Sequence, residues 1–354
     1  MARFGRGWVV PVVGVIAAGV VSCGSGDGEA GSAPSSGAAP ASDKKVVVYS
    51  GRGEELVQPF FDQFTEKTGI AVEARYAGTS AMATQLLEEG DKSPAEVFFA
   101  QDAGALGAVA KAGLFSALPA EVTGQVPESY RAKSGEWVGV TARARVLVYN
   151  PDLVSADLPA SVFDLTKPEW KGKVGVAPTN ASFQAFVTAV RVQHGDDKAK
   201  EFLAGLAANE PQVRDGNAKI VEEVEAGTLA VGLVNHYYLG EIAKEQGKTP
   251  ETMTAKLHFF PGGDSGAMVN VAGVGVLKKA AADPDARALL DYLLGPEGQK
   301  YFVEQTYEYP VVPGVTGPAY APALDSLAIP PVDLNDIDDL AATVEIIKGS
   351  GLVP

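Results

Sequence analysis

The chain has 354 residues, with 44 acidic and 29 basic side chains, so its formal net charge at pH 7 is −15. A strongly acidic protein is a poor partner for nucleic acid and for anionic membrane surfaces, so we expect neither as a binding surface. The hydrophobic fraction of 46% is sufficient for a large core, and the single cysteine allows no intramolecular disulfide.

The N-terminus is typical of an exported lipoprotein. Residues 1–6 are basic, and residues 7–21 form an apolar run whose length suits a signal peptide better than a membrane span. The run ends Val-Val-Ser-Cys-Gly, which resembles a lipobox around Cys23. We therefore expect a signal peptide over 1–22, then a lipidated Cys23 and a flexible Gly/Ser/Ala/Pro tether over 23–43, with the body secreted and anchored at the outer face of the cell membrane.

In the first part of the body, short buried strands alternate with amphipathic helices. The patterns predict strands over 45–50, 70–76 and 95–100, and helices over 54–68, 80–89 and 103–112. This alternation is typical of parallel βαβ units in a doubly wound sheet.

A second α/β set follows a long strand predicted around 143–149. It comprises predicted strands over 174–178, 229–234 and 267–278, and helices over 181–193, 197–206, 218–225, 286–294, 296–305 and 334–348. Two α/β units with strands crossing between them predict two domains and a cleft at the crossing. Because ligands of open α/β sheets bind beyond the carboxyl ends of strands, the residues that follow those ends are the candidates for function.

One of these strand ends carries the adjacent residues Tyr237 and Tyr238. A phenol titrates near pH ~10, but a hard trivalent cation prefers oxygen donors and deprotonates its ligand on binding. Two phenolates would therefore select Fe³⁺. In a regular strand the two side chains would point to opposite faces, so their convergence requires an irregular strand-to-helix junction. The alternative is packing, with one ring in the core and one on the wall of the cleft.

Six segments of the body occur in the order and spacing of a known family. They are VYSGRGEE at 48–55, SPAEVFFAQDAGAL at 93–106, ARARVLVYN at 142–150, PEWKGKVGVAPTNASF at 168–183, AGTLAVGLVNHYYLGE at 226–241 and EYPVVPGV at 308–315. The chain in this respect resembles the ferric-ion-binding proteins, the substrate-binding subunits of bacterial iron ABC transporters.

The resemblance implies an α/β fold of the type 2 periplasmic-binding-protein kind, in which two doubly wound domains joined by hinge strands close over a ligand cleft. We expect lobe 1 over 44–142 with about 267–318, and lobe 2 over 143–266 with about 319–354. The implied function is that of a monomeric, non-enzymatic lipoprotein. It would capture Fe³⁺ with a synergistic carbonate or phosphate and deliver the ion to an ABC permease and its ATPase.

In the family the tandem tyrosines ligate Fe³⁺, which implies this role for Tyr237 and Tyr238. The other family ligands do not transfer. Where family members carry His or His-Tyr, this chain has Gly53 and Glu54, and where some members carry a carboxylate it has Gln101. The oxygen donors near these positions are the weaker candidate metal ligands, namely Glu54, Asp102, Gln101 and Tyr49. Solvated loop acids are an equal alternative for Glu54 and Asp102, and packing is the alternative for Tyr49.

A bound anion is favoured by Arg side chains and by backbone N–H groups at the start of a helix. Arg143 and Arg145 have the same parity on a strand and can face one cleft, although one of the two is expected to form a salt bridge instead. The candidate anion-binding residues are Arg52, Arg143, Arg145, Asn180, Ala181, Ser182, Asn217 and Asn235. His236 is expected either to support the ligands from behind or to be exposed.

Other functions are left open by the residues alone. The same fold with another cargo, such as a phosphonate or other oxyanion, thiamine or a polyamine, is the main alternative. A hydrolase is not expected, because the chain has neither a GxSxG nor an HExxH motif and its three histidines are scattered. A purely structural cell-surface module is a third alternative, and it would show no ligand-dependent closure.

Overall fold

The computed structural model describes residues 42–154 and 157–353. The predicted signal peptide, Cys23 and the tether as far as residue 41 lie outside the described residues. Within the part that is described, none of the helices has the length and apolar character needed to cross a bilayer.

Strands and helices alternate along most of the described chain. The strands are β1 Lys45–Ser50, β2 Ala71–Tyr76, β3 Val97–Ala100, β4 Trp137–Tyr149, β5 Val174–Val176, β6 Gln212–Val213, β7 Val231–Asn235, β8 Lys256–His258, β9 Val269–Val276 and β10 Tyr309–Pro310. The helices are α1 Glu54–Thr68, α2 Thr79–Glu89, α3 Ala103–Lys111, α4 Ala120–Thr123, α5 Ala181–His194, α6 Asp196–Ala208, α7 Asn217–Glu225, α8 Tyr238–Glu245, α9 Pro284–Leu294, α10 Pro296–Gln305 and α11 Leu340–Gly349.

The strands form a mixed sheet with the order β2-β1-β3-β9-β4-β7-β5-β6, and β8 and β10 add to β4. At one end β1 pairs in parallel with β2 and β3, and at the other end β5 pairs in parallel with β6 and β7. The two parallel groups are joined by antiparallel pairing through β9 and β4. The predicted α/β fold class is confirmed.

The long strand β4 changes partners half-way along its length. Its first part, as far as Ala144, pairs with β9, and β10 adds to the same part. From Arg145 onward it pairs with β7 and β8. One strand therefore extends through both halves of the sheet, and its midpoint lies where the two halves meet.

The core strands are mostly apolar, which is typical of strands covered on both faces, although β4 also carries Arg143 and Arg145. β4 is buried over twelve of its thirteen residues in the burial pattern, and β7 and β9 are buried throughout. The predicted elements are found within a few residues of their expected ends, except β4, which already begins at Trp137, and the last helix. It begins at Leu340 rather than 334, because Asp339 caps it and Leu334–Asp336 forms only a short 3₁₀ turn.

Candidate metal centre

The tyrosine pair lies where β7 ends and α8 begins. Tyr237 already has helical dihedral angles, with φ −68° and ψ −24°, and Tyr238 is the first residue of the helix. Consecutive helical residues diverge by about 100° rather than by the 180° of a strand, so the two rings lie on the same side. Their centroids are 4.3 Å apart with an interplanar angle of 27°. The local change from strand to helix is what brings the two phenols together.

The two phenol groups border a cleft of about 880 Å³ whose other walls include Gly51–Gly53 and Gln101. Tyr237 is buried, and its hydroxyl oxygen accepts a hydrogen bond from Gln101 Nε2 at 3.2 Å. The loop after β3 is thereby joined to the loop after β7. In residues 42–154 and 157–353, no group of three or more His, Cys, Asp and Glu side chains is placed to hold a metal ion.

The surroundings of the pair oppose the phenolate form when no cation is bound. Burial raises the pKa of Tyr237 well above its usual value, and the charges of Tyr238 and Glu241 raise it further. Burial also raises the pKa of Tyr238, although the neighbouring polar groups of Tyr237 and Asn217 lower it in part. A cation held between the oxygens would reverse these effects, because it favours the charged form of each ligand.

Arg143 and Arg145 are both buried on β4, each with 2% of its surface exposed. Both terminal nitrogens of Arg143 lack a hydrogen-bond partner in the described structure. Arg145 donates from Nη1 to Ser182 Oγ at 3.3 Å and from Nη2 to the Leu233 carbonyl at 3.0 Å, while its Nε is unpartnered. Burial lowers the pKa of Arg145 to about 9. The expectation that one of the two forms a salt bridge is wrong for the described residues, since neither has a carboxylate within ion-pair distance.

Several of the predicted anion-binding residues form one network at the start of α5. The Asn180 oxygen caps the helix by accepting from Ser182 N at 2.9 Å and from Ser182 Oγ at 2.7 Å. Asn217 Nδ2 donates to the same hydroxyl at 3.0 Å. Ala181, the first residue of α5, follows the cap. Unpartnered buried atoms remain on both neighbouring amides, Asn217 Oδ1 and Asn235 Nδ2.

Arg52 is not free for an anion. Its Nη1 and Nη2 donate to the two carboxylate oxygens of Glu308 at 3.0 and 2.7 Å, and both side chains are buried. Burial alone would raise the pKa of Glu308, but the charge and hydrogen bonds of Arg52 outweigh it and lower the pKa. The prediction of Arg52 as an anion ligand missed this pairing because its partner is 256 residues away in the sequence.

Two of the weaker metal candidates lie away from the cleft. The Tyr49 hydroxyl is hydrogen-bonded to Glu89 Oε1 at 3.1 Å and accepts from Arg75 Nη1 at 3.0 Å, so the ring packs beside α2 and we withdraw it as a ligand. Glu54 is an exposed residue at the start of α1 and does not border the cleft, whereas its neighbour Glu55 does. Packing and solvation, respectively, account for these two side chains.

Asp102 has a structural role at the start of α3. Its Oδ1 caps the helix by accepting from Ala105 N at 2.9 Å. It is buried, so it is not a solvated loop acid either. Burial raises the pKa of this carboxyl group, and the backbone hydrogen bond and the charge of Arg143 partly offset the shift. Gln101, next to it, is the residue of this loop that reaches the tyrosine pair.

Sequence reasoning missed Glu241, which borders the cleft from α8. Its Oε1 is buried and has no hydrogen-bond partner in the described structure. Burial, followed by repulsion from Glu308, raises the pKa of Glu241 to about 8. The sequence does contain a signal for this residue. Glu241 is three residues after Tyr238 and four after Tyr237, and side chains at these spacings share one helix face.

His236 is buried rather than exposed, and it supports the pair from behind. Its Nδ1 accepts a hydrogen bond from Ala144 N at 3.2 Å, and its ring stacks on Tyr309 with centroids 4.3 Å apart. Burial lowers its pKa to about 3, so the ring is neutral at ordinary pH. The side chain thus fixes β7 against β4 next to the tyrosines.

Comparison with known proteins identifies the family. A model described as bacterial extracellular solute-binding protein matches residues 92–338. An Fe(3+)-binding periplasmic protein of Serratia marcescens is 34% identical over 317 residues, which cover 89% of this chain and 93% of the relative.

Solved structures agree with this result. Iron-bound HitA from Pseudomonas aeruginosa matches with a TM-score of 0.80 and 32% identity, over 87% of this chain and 99% of that one. A Trichodesmium protein (IdiA, FutA) in complex with iron and citrate matches with a TM-score of 0.74 and 28% identity, over 87% and 99% of the two chains. The chain therefore belongs to the ferric-ion-binding proteins within the bacterial extracellular solute-binding family.

Proposed function

We propose that this protein captures Fe³⁺ together with an anion in its cleft and delivers the ion to an ABC importer. The observation that carries the proposal is the stacked pair Tyr237 and Tyr238 at a strand-to-helix junction bordering the cleft. The ferric-ion-binding relative from Serratia and the iron-bound structure from Pseudomonas support the choice of ion. The Serratia relative is named a binding protein and the matching family is described as solute-binding, which supports a non-enzymatic role.

Fe³⁺ suits the donors better than a softer divalent ion does. Phenolate is a hard anionic oxygen ligand, and a trivalent ion is needed to offset the burial that opposes its formation at Tyr237 and Tyr238. Gln101 supports the ligand form of Tyr237, because its amide already donates to the phenol oxygen. Ferrous iron, with less charge, is the poorer fit.

A synergistic anion, carbonate or phosphate, would take the donors that are left over. These are the two terminal nitrogens of Arg143, Nε of Arg145 and Nδ2 of Asn235, all buried and without a partner in the described residues. Buried donors of this kind are costly unless a ligand satisfies them. The citrate in the Trichodesmium structure supports the idea that an oxyanion accompanies iron in this family. Arg52 also has an unpartnered Nε, but we leave it out of the set because both of its terminal nitrogens are bonded to Glu308.

Closure of two lobes over the ion would complete capture. We assign lobe 1 to 44–142 with about 267–318 and lobe 2 to 143–266 with about 319–354. The change of partners of β4 between Ala144 and Arg145 supports a boundary near 142/143. The closed, monomeric protein would dock on a permease with an ATPase subunit. A lipid anchor on Cys23 would hold it at the outer face of the membrane.

The proposal is tested by titrating iron-free protein with ferric citrate and recording the visible phenolate-to-Fe³⁺ charge-transfer band. We expect the band in the wild type and its loss in the double variant Tyr237→Phe, Tyr238→Phe. Tyr49→Phe is the matched control, since that hydroxyl is bonded to Glu89 and Arg75, and it should keep the band.

A wild type without the band, or a double variant that retains it, would refute iron capture by the tyrosines. Binding of a phosphonate, thiamine or polyamine that is unaffected by a ferric chelator would instead support the same fold with another cargo.

A further inference from the structure

We propose that Glu241 supplies a carboxylate oxygen to the ferric ion, so that a third protein ligand comes from α8 and not from the strand-end loops. This inference rests on the proposed function, because it presumes that Tyr237 and Tyr238 hold Fe³⁺. It concerns a residue outside the positions to which the family resemblance assigns ligands.

The first argument is position. α8 starts at Tyr238, with Tyr237 in helical conformation just before it. Glu241 is three residues after one tyrosine and four after the other, and both spacings lie on one helix face. Helical side chains also lean toward the N-terminus of their helix, which directs Glu241 toward the tyrosine end. All three side chains border the same cleft.

The second argument is that Glu241 has an oxygen to spare. Its Oε1 is buried without a hydrogen-bond partner in the described structure. The neighbouring cations are engaged elsewhere: the Arg52 fork is filled by Glu308, and Lys244 Nζ donates to Gln305 Oε1 at 3.1 Å. A buried carboxylate oxygen without a partner is unfavourable, and a bound metal ion would satisfy it.

The third argument is that the loops provide no comparable oxygen. Asp102 is used as the cap of α3, the exposed Glu54 does not border the cleft, and its neighbour Glu55 borders the cleft but is exposed. Gln101 donates its amide nitrogen to Tyr237 and carries no charge. Glu241, in the first turn of α8, therefore supplies the carboxylate that these loops lack.

The fourth argument is charge balance. A trivalent ion bound to two phenolates keeps one positive charge, which one carboxylate neutralises. The accompanying anion would then be matched by the separate cationic groups on β4, Arg143 and Arg145, whose side chains carry unpartnered nitrogens. A hard trivalent ion surrounded by anionic oxygens is the arrangement that such ions prefer.

The experiment compares wild type, Glu241→Gln, Glu241→Asp and Glu245→Gln in the ferric citrate titration. Glu241→Gln keeps the size of the side chain and removes the anionic donor, so the iron becomes more electron-poor. We expect its charge-transfer band to move to longer wavelength and its iron affinity to fall at least about tenfold, as for loss of an important group at a metal site. Glu241→Asp keeps the carboxylate, so its band position and its iron affinity should lie between those of wild type and Glu241→Gln.

Glu245→Gln removes the same charge from an exposed residue that borders the cleft one turn further along α8. We expect it to keep the wild-type band position and an affinity within about twofold, since exposed charges are strongly screened. Circular dichroism of the iron-free variants verifies that each one is folded.

An unchanged band position in Glu241→Gln would overturn the assignment, even if the affinity fell, because the carboxylate would then act through its charge and not as a ligand. The proposed function fails differently: in that case the wild type itself shows no band.

Discussion

Two sets of buried charges around the cleft are treated differently by the fold. Arg52 and Glu308 meet in a two-pronged ion pair, in which Thr306 Oγ1 donates a third hydrogen bond to the carboxylate at 3.0 Å and Arg52 Nε alone has no partner in the described residues. Arg143 and Glu241, close by, each keep buried atoms without a partner in the described residues. The pKa values of the two glutamates shift in opposite directions, downward for Glu308 and upward for Glu241.

The difference separates groups that hold the fold together from groups that await a ligand. A buried charge with a well-formed partner is costly to disrupt, whereas an unpartnered one reduces the stability of the iron-free protein. Proteins tolerate the second kind where a ligand will later compensate it, which is why strained or unsatisfied groups concentrate at functional sites. Substitutions in the two sets should therefore change stability in opposite directions.

The largest effect is expected from breaking the satisfied pair. Glu308→Gln leaves the buried Arg52 without a counter-charge, so we expect the free energy of unfolding of the iron-free protein to fall by about 3–5 kcal/mol. Urea unfolding followed by circular dichroism measures this change.

The control for Glu308→Gln is Glu297→Gln, which breaks the exposed pair between Lys67 and Glu297. A loss below about 1 kcal/mol is expected there, because solvent screens exposed pairs. Equal losses in the two variants would contradict a special role for the buried pair.

A smaller effect of opposite sign is expected from Arg143→Met. This change removes a buried charge that has no partner in the described residues. The iron-free protein should gain about 1–3 kcal/mol, the range for relieving an unsatisfied buried polar group. Iron binding in carbonate or phosphate buffer should weaken about tenfold or more, because charge-assisted hydrogen bonds to the anion are lost.

The exposed Arg287, which pairs with Asp291 on α9, provides the matched control for Arg143→Met. Arg287→Met should change neither the free energy of unfolding nor the affinity for iron appreciably. Destabilisation by Arg143→Met would mean that this guanidinium has a structural role like that of Arg52.

The sequence predicts which charges lie near the cleft better than it predicts which of them find partners. Arg143 and Arg145 could be assigned to one face because strand parity is a local property. The pairing of Arg52 with Glu308 could not be foreseen, since it joins residues 256 positions apart. It depends on how the segment before β10, which carries Glu308, lies against the loop after β1, which carries Arg52.

The same limit applies to the tyrosines. Tyr237 and Tyr238 could be expected to converge because a strand-to-helix junction can be read from neighbouring residues. Tyr49 also ends a strand, but the identity of its partners, Glu89 and Arg75, depends on how α2 packs on the sheet. Elements and their order therefore follow from local patterns, while the direction of a single side chain depends on contacts between distant elements.

The last expected effect is the change with pH in the stability that the two glutamates contribute. In an unfolded chain the pKa of both carboxyl groups is about 4.3. Burial and repulsion from Glu308 raise the pKa of Glu241 to about 8 in the folded protein. Between these values the folded state keeps a proton that the unfolded state has released, so the free energy of unfolding falls as the pH rises. The lowered pKa of Glu308 acts in the opposite sense, because its stabilisation is present above the unfolded value and is lost as the pH falls.

Urea unfolding of the iron-free protein at intervals from pH 5 to pH 9 measures this contribution as the difference between wild type and Glu241→Gln. The variant should gain stability relative to wild type as the pH rises, with the gain levelling off above pH 8. Glu245→Gln, at an exposed position on the same helix, controls for removal of one negative charge. A difference between wild type and Glu241→Gln that stays constant with pH would mean that Glu241 is already stabilised as a carboxylate. It would then resemble Glu308, and the contrast between the two sets would be lost at this residue.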